Sequence, residues 1–223
     1  MKNLSVQIEV DSNLYLKKPD TSDLGRSIIS TSIEMINTMG FESFTFKKLG
    51  ASIQSPESSI YRYFKSKHQL LVYLTSWYWS WMEYKLFIAT SNIKSPLERL
   101  KKSIDLLTKP VLEDNDFTYI NEVLLSEIIF SESIKTYHTT NVDEQNRKGW
   151  FKAYKKVVER VSSIVLEINP TFKYPHMLIS TVIEGAHQQK YFAEHIPELT
   201  DIKQGENLIS EFYIKMVISV LEV

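Results

Sequence analysis

Apolar residues recur every three or four positions through most of this chain, which is the spacing of an amphipathic helix. The clearest case is the C-terminal stretch, where apolar pairs return every fourth position: Leu208-Ile209, Phe212-Tyr213, Met216-Val217 and Val220-Leu221. The alternation typical of a strand occurs only briefly, at Val6, Ile8 and Val10. We therefore predict an all-α fold of about nine helices, with residues 1–21 as a flexible N-terminal arm.

Two short helical patterns and the start of a longer one follow one another between residues 44 and 71. Each has its own start signal. Thr45 is a good N-cap for the first, and Ser55 followed by Pro56 suits the start of the second. Ser66 can cap the third, and a glutamine three residues later completes a capping box. This arrangement predicts a helix-turn-helix, and the three-helix domain that contains it is expected over residues 22–68.

The side chains that this prediction leaves outward are small, polar, aromatic or basic. Arginine can read base edges in the major groove, and lysine or tyrosine can hold phosphates. A helical hairpin with ordinary surface charges is the alternative. The candidate DNA-binding residues are Thr45, Lys47, Lys48, Ser55, Glu57, Ser58, Ser59, Tyr61, Arg62, Tyr63, Lys65 and Lys67.

Charge is distributed unevenly between this segment and the remainder of the chain. Residues 1–68 hold 9 Lys and Arg against 7 Asp and Glu, whereas residues 69–223 hold 17 against 20. The small basic surplus therefore lies on the candidate DNA-binding part, as release of counterions from a nucleic acid would require.

Composition excludes some classes of protein. The 223 residues include no cysteine, which excludes a disulfide framework and a cysteine-ligated zinc site. The sequence has no apolar run of membrane-spanning length and no secretory signal pattern near residue 1. We expect a cytoplasmic protein that has no membrane partner.

The residues around the predicted turn resemble the DNA-binding domain of the TetR (tetracycline-repressor-like) family of bacterial regulators. The resemblance covers about residues 24–75 and rests on Thr45, on the IYRYF ending of the second helix and on the KSKHQLL that follows; Ile60, Tyr61, Phe64 and Lys67 match by position. Gln54 stands where that family commonly has a turn glycine, and Ser55-Pro56 replaces the frequent Val-Ser. The resemblance implies a dimeric regulator that binds a pseudo-palindromic duplex operator, with a ligand-binding and dimerisation domain over residues 69–223.

The predicted helix from about residue 67 to 90 is apolar nearly all round and rich in aromatic residues. Such a helix is surrounded by protein. Aromatic walls also suit a ligand cavity, an interpretation that the resemblance supports, although core packing explains any single ring equally well. For a small, mostly apolar or aromatic inducer, the candidate ligand-binding residues are Trp77, Tyr78, Trp81, Tyr84, Glu127, Tyr154, His187 and Tyr191.

The last two predicted helices carry more apolar surface than one neighbour can cover. A two-fold dimer that pairs them with their copies in a second subunit would bury the excess, and the resemblance implies the same surface. The alternative is that the C-terminal helix is buried within its own subunit. The candidate interface residues are Leu178, Val182, Gly185, Leu208, Phe212, Met216 and Val220.

An enzyme is the main alternative from another class. Glu184 and His187 form a Glu-x-x-His, the spacing with which di-iron helical bundles project two ligands inward. A metal-binding oxidoreductase of that kind needs a second copy of the motif, and no other histidine has a glutamate three residues earlier. Glycine-rich phosphate loops and hydrolase motifs are also absent from the sequence. We therefore expect a protein that is not an enzyme and that needs no metal or cofactor.

Overall fold

The computed structural model describes residues 7–113, 117, 119–202 and 208–222, and it has ten α-helices and no strand within these ranges. The prediction of an all-α fold is confirmed. The helices are α1 Asp23–Ser43, α2 Phe46–Ser52, α3 Glu57–Ile60, α4 Lys67–Thr90, α5 Pro96–Thr108, α6 Glu122–Tyr137, α7 Val142–Arg147, α8 Lys152–Ile168, α9 Pro175–His195 and α10 Leu208–Leu221. Three short 3-10 helices cover Ser12–Leu14, Pro19–Thr21 and Pro197–Leu199.

Side-chain caps begin several of these helices where the sequence predicts them. The hydroxyl of Ser22 accepts a hydrogen bond from the amide of Gly25 at 3.2 Å, and Thr45 caps α2 in the same way. Ser95 caps α5, with Pro96 in the first helical position. These bonds satisfy amides that have no partner within the helix.

The polar composition of Ser131 to Gly149 predicts a loop, whereas much of this stretch is helical. Helix α6 runs on to Tyr137, and the short helix α7 follows. Glu132 and Thr136 are buried in the last turns of α6, where the Thr136 hydroxyl donates to the Glu132 carbonyl. Polar residues that are satisfied in this way do not interrupt a helix, although their composition is typical of a loop.

The described chain divides into two compact units. The first holds the residues up to Ser80 together with 111–153, and the second holds 81–110 together with the residues from Tyr154 onward. The division falls inside α4 and groups α6 and α7 with the first three helices. The boundary predicted at residue 68, between the DNA-binding and ligand-binding domains, remains a prediction.

The core of the first unit is built from one stripe of α1 and the short helices that follow. Ile28, Ile29 and Ile33 of α1 are buried, as are Leu49 of α2 and Ile60 of α3. The helical spacing of these residues is what places them on inward faces.

Residues 7–21 belong to the first unit and pack against its helices, whereas the sequence predicts a flexible arm. Leu14 is fully buried, and the amide of Leu16 donates to the carbonyl of Tyr63 at 2.8 Å. A Cβ added to Gly25 would lie 2.1 Å from the carbonyl oxygen of Pro19, so the segment approaches α1 too closely for any larger residue there. Residues 1–6 of the predicted arm lie outside the described residues.

In the second unit, α8 buries one apolar face, at Val157, Val161 and Ile164. Ion pairs tie this helix to its neighbours: Arg99 of α5 binds Glu167, and Arg160 binds Glu83 of α4. In the part of the chain that the structure describes, no helix is long and apolar enough to cross a membrane.

Candidate nucleic-acid interface

Helices α2 and α3 meet at a turn that needs a small residue. A Cβ added to Gly50 would lie 2.7 Å from the carbonyl oxygen of Ser55. The Ser55 amide donates to the Gly50 carbonyl at 2.9 Å, and Gln54 between them has a φ of 52°. That left-handed conformation is the one for which glycine is usual. Gln54 therefore adopts the left-handed backbone conformation that a glycine usually adopts at such a turn.

Helix α3 starts one residue later than the sequence indicates. Its N-cap is Pro56, which makes no side-chain capping bond, and Ser55 lies before it. The helix proper is one turn long, Glu57–Ile60, and hydrogen bonds from Tyr61, Arg62 and Tyr63 continue the turn. The difference is of the size by which helix ends are ordinarily mispredicted.

Most of the candidate DNA-binding residues share the accessible surface of α2, α3 and the segment after them. Tyr61 is 47 % exposed, and its ring packs edge-on against Phe46 with the centroids 5.1 Å apart. That contact fixes one aromatic ring at the edge of the reading surface. The exposed members are Thr45, Lys47, Lys48, Ser58, Tyr61, Arg62 and Lys65, and the half-exposed ones are Ser55, Glu57 and Ser59. We call this set the reading surface.

Tyr63 does not lie on the reading surface. It is 2 % exposed, and its hydroxyl lies 2.8 Å from that of Ser22. The sequence places it beside Arg62 at the outer edge of a helix, but the chain leaves the helix at Tyr61 and turns Tyr63 inward. Its role is to join α3 to the start of α1.

Lys67 also differs from its expected position. Its ammonium donates to the carbonyls of Phe41 at 2.9 Å, Glu42 at 3.0 Å and Phe44 at 3.2 Å, and it lies 4.7 Å from the centre of the Phe41 ring. A lysine ammonium has three protons, and all three are used here. Lys67 therefore supports the reading surface from behind in this structure, with no proton left for a phosphate.

Lys17 is a cation near this surface whose position the sequence could not fix. It is exposed, and its ammonium lies 5.1 Å from the centre of the Tyr63 ring. The signal in the sequence is the pair Lys17-Lys18 before Pro19, which suggests an arm that touches DNA backbone. Lys18 instead pairs with Asp20 at 3.2 Å.

The candidate ligand-binding residues fall in both units. Trp77 and Tyr78 are buried in the first unit, where Trp77 packs on Phe117 and Tyr78 on Phe130. Glu127, also in the first unit, is exposed and accepts a hydrogen bond from the side-chain amide of Asn37 at 2.6 Å. The sequence places it near the apolar stripe of its helix, whereas the structure turns it to the surface.

In the second unit the remaining candidates have different surroundings. Trp81 is buried, Tyr84 is half-buried, and Tyr191 is exposed with its ring 4.6 Å from that of His195. Two grooves of about 510 and 460 Å³ in this unit are lined by other residues, mostly charged ones of α5, α8 and α10.

Glu184 and His187 differ in environment although they lie one turn apart on α9. Glu184 is exposed and accepts a hydrogen bond from the Tyr154 hydroxyl at 2.7 Å. His187 is 5 % exposed, and burial, with a smaller effect from Lys190, lowers its pKa to about 3. Among the described residues, no group of three or more His, Asp or Glu side chains could hold a metal ion.

The candidate interface residues separate into an exposed and a buried group. Phe212 is 58 % exposed, Val220 46 % and Leu208 38 %, whereas Leu178 and Val182 are buried within their own unit. The exposed group lies along α10, with Met216 half-buried beside it.

Gly185 also packs within its own unit. A Cβ added there would lie 2.2 Å from the hydroxyl oxygen of Tyr213, so α9 uses its small residue to admit a ring of α10 from the same chain. The sequence shows that something approaches closely at this point, but not which helix supplies it.

Comparison with known proteins gives a family for the helix-turn-helix and a fold for the chain. Residues 28–74 match the family described as bacterial regulatory proteins, tetR family. The solved structure of AibR in complex with isovaleryl coenzyme A and operator DNA has a TM-score of 0.59 and 16% identity, over 86% of this chain and 96% of that one. The structure of the superantigen PfiT has a TM-score of 0.58 and 11% identity, over 91% and 97%. Comparison with curated proteins finds no match.

Proposed function

We propose that this chain, which its helix-turn-helix places in the tetR family of bacterial regulatory proteins, is a dimeric transcriptional repressor that a small ligand releases from its operator. The DNA-binding function rests on the reading surface. Ser58 on α3 and Tyr61 and Arg62 directly after it are exposed, as are Lys47 and Lys48 of α2, and α2 approaches the turn before α3 closely at Gly50. Short and polar side chains let such a helix enter a major groove.

The overall fold does not decide between functions. PfiT, named a superantigen, and AibR, solved with operator DNA, resemble the chain about equally in TM-score. The argument for DNA binding therefore rests on the local match over residues 28–74 and on the exposed cations that the fold presents there.

We propose α10 as the centre of a two-fold interface. Its exposed apolar residues, Leu208, Phe212 and Val220, form a stripe that a second copy of α10 would cover. Two reading surfaces held in this way would match successive major grooves about 34 Å apart, and the operator would be a pseudo-palindromic duplex.

We propose that Trp77 and Tyr78, the buried aromatic residues of α4 in the first unit, bind a mostly apolar or aromatic ligand. A related fold with a bound acyl-coenzyme A, that of AibR, supports a ligand-responsive role. The ligand acts by population shift: it must bind more tightly to an arrangement in which the two reading surfaces no longer match the operator.

Selection of duplexes from a random pool, followed by electrophoretic shift at two salt concentrations, tests this function. We expect a selected sequence with two-fold symmetry and an affinity that falls steeply with salt. Arg62→Ala is expected to relax the sequence choice at one position by about 1–3 kcal/mol. Failure to retain any duplex in dilute buffer would refute the proposal.

A further inference from the structure

Helix α1 is broken at Gly40, just before residues 41–44, which lead into α2. Gly40 has φ 76° and ψ 155°, a conformation that is essentially restricted to glycine. The helical geometry resumes for one further turn, at Phe41–Ser43, before Thr45 caps α2. Because α2 and α3 follow this turn, its geometry sets where the reading surface lies on the first unit.

Lys67 holds this turn from its carbonyl side. Its ammonium reaches the carbonyls of Phe41, Glu42 and Phe44, so that one charge ends α1 and fixes the approach to α2. A cation at the C-terminal end of a helix is also favoured by the helix dipole.

Glu132 of α6 holds the same turn from its amide side. The amide of Phe41 donates to Oε1 of Glu132 at 3.4 Å, and the carboxylate is 8 % exposed. Lys135 completes the arrangement, because its ammonium contacts Glu132 at 2.8 Å and Glu42 at 3.1 Å. The hydrogen bond to Glu132 is the largest cause of the raised pKa of Lys135. A buried carboxylate that is paired and hydrogen-bonded is costly to disrupt from one side.

We propose that Glu132 is a positioning residue for DNA binding, which acts through the Phe41 amide to align the reading surface. This inference rests on the proposed function. Glu132 of α6 accepts from the amide of Phe41, and Lys67 of α4 donates to its carbonyl, so that the two side chains together bind both polar backbone groups of Phe41. No stretch of sequence near the helix-turn-helix signals this, since Glu132 lies 91 positions from Phe41.

Helix α6 also connects this turn to the candidate ligand-binding rings of the first unit. Phe130 on α6 packs edge-on against Tyr78, with the ring centroids 6.2 Å apart. Phe130 is two residues before Glu132 in the same helix.

The test compares Glu132→Ala and Glu132→Gln with Ser131→Ala in the full chain. Ser131 is the control because it is the neighbouring residue on α6, is exposed, and donates its hydroxyl to the Ile128 carbonyl of the same helix. Three quantities are measured: hydrogen exchange of the Phe41 amide without DNA, affinity for a selected duplex, and the dependence of that affinity on salt.

For Glu132→Ala we expect exchange at Phe41 to become about ten-fold faster and duplex affinity to fall about ten-fold, with the salt slope unchanged. The slope stays constant because no phosphate contact is lost. Glu132→Gln keeps an acceptor and is expected to give smaller losses in both quantities. Ser131→Ala is expected to leave both quantities as in the wild type.

Two results would overturn the inference. One is an unchanged Phe41 exchange rate in Glu132→Ala. The other is faster exchange with full duplex affinity in both Glu132 variants, which would make Glu132 a structural residue only. A wild-type chain that binds no duplex would refute the proposed function itself, which separates the two failures.

Discussion

In both the helix-turn-helix and the α9–α10 pair, a glycine allows another part of the chain to approach closely. The two regions differ in how far along the chain the approaching residue lies from the glycine. Gly50 faces the carbonyl of Ser55, five residues away, whereas Gly185 faces the Tyr213 hydroxyl on another helix. The first contact belongs to a local turn whose residues follow one another in sequence. The second depends on the tertiary arrangement. A small residue therefore predicts a close approach in both regions, but it indicates the partner only in the first.

The largest expected effect concerns the exposed face of α10. We expect Phe212→Asp to convert the dimer to a monomer and to weaken operator binding by about a hundred-fold, since the benefit of two linked reading surfaces is lost. Sedimentation measures the assembly, and electrophoretic shift measures the affinity. Leu166→Asp is the control, because Leu166 is also an exposed apolar residue, on α8. If the Phe212→Asp variant stays dimeric, the dimer interface does not include the exposed face of α10.

The next effect tests whether Gly185 serves its own subunit. We expect Gly185→Ala to lower the free energy of unfolding by about 1–3 kcal/mol, because the new methyl group overlaps the Tyr213 hydroxyl. Removal of that hydroxyl in the Gly185→Ala, Tyr213→Phe double variant is expected to recover part of the loss, which denaturant titration measures as a coupling energy. If the changes in unfolding free energy of Gly185→Ala and Tyr213→Phe simply add in the double variant, Gly185 and Tyr213 are not in contact.

How much the sequence could predict follows from the same distinction. The cap at Thr45 depends on a neighbour three residues away, and it is where the sequence places it. The inward turn of Tyr63 and the buried position of Glu132 depend on residues far away in the chain. No local pattern encodes them.

A smaller effect separates two lysines that the sequence treats as equivalent. Lys65 is an exposed residue of the reading surface, whereas the Lys67 ammonium donates to three carbonyls. We expect Lys65→Ala to reduce the salt slope of duplex binding by about one, as the loss of one phosphate contact does.

Lys67→Ala is expected to weaken binding several-fold with an unchanged slope, through the position of the turn. Affinities at a series of salt concentrations measure both values. A reduced slope for Lys67→Ala would show that Lys67 leaves the carbonyls for a phosphate when DNA is bound.

The smallest effect concerns the turn of the helix-turn-helix. Gln54 has a left-handed backbone, which glycine adopts without steric cost. We expect Gln54→Gly to raise the free energy of unfolding by about 0.5 kcal/mol, since relief of the strain exceeds the extra entropy of the unfolded chain. Denaturant unfolding measures the change, with Ala51→Gly, in the exposed last turn of α2, as a control that should destabilise. A loss of stability in Gln54→Gly would mean that the Gln54 side chain stabilises the turn.

Hydrogen exchange of the wild-type chain with and without a selected duplex tests the central claim most directly, because it reports which backbone amides DNA protects. We predict added protection across residues 45–65, which include the reading surface, and none in α9 and α10. Protection confined to the second unit, or duplex binding that leaves residues 45–65 unchanged, would contradict the assignment of DNA binding to this surface.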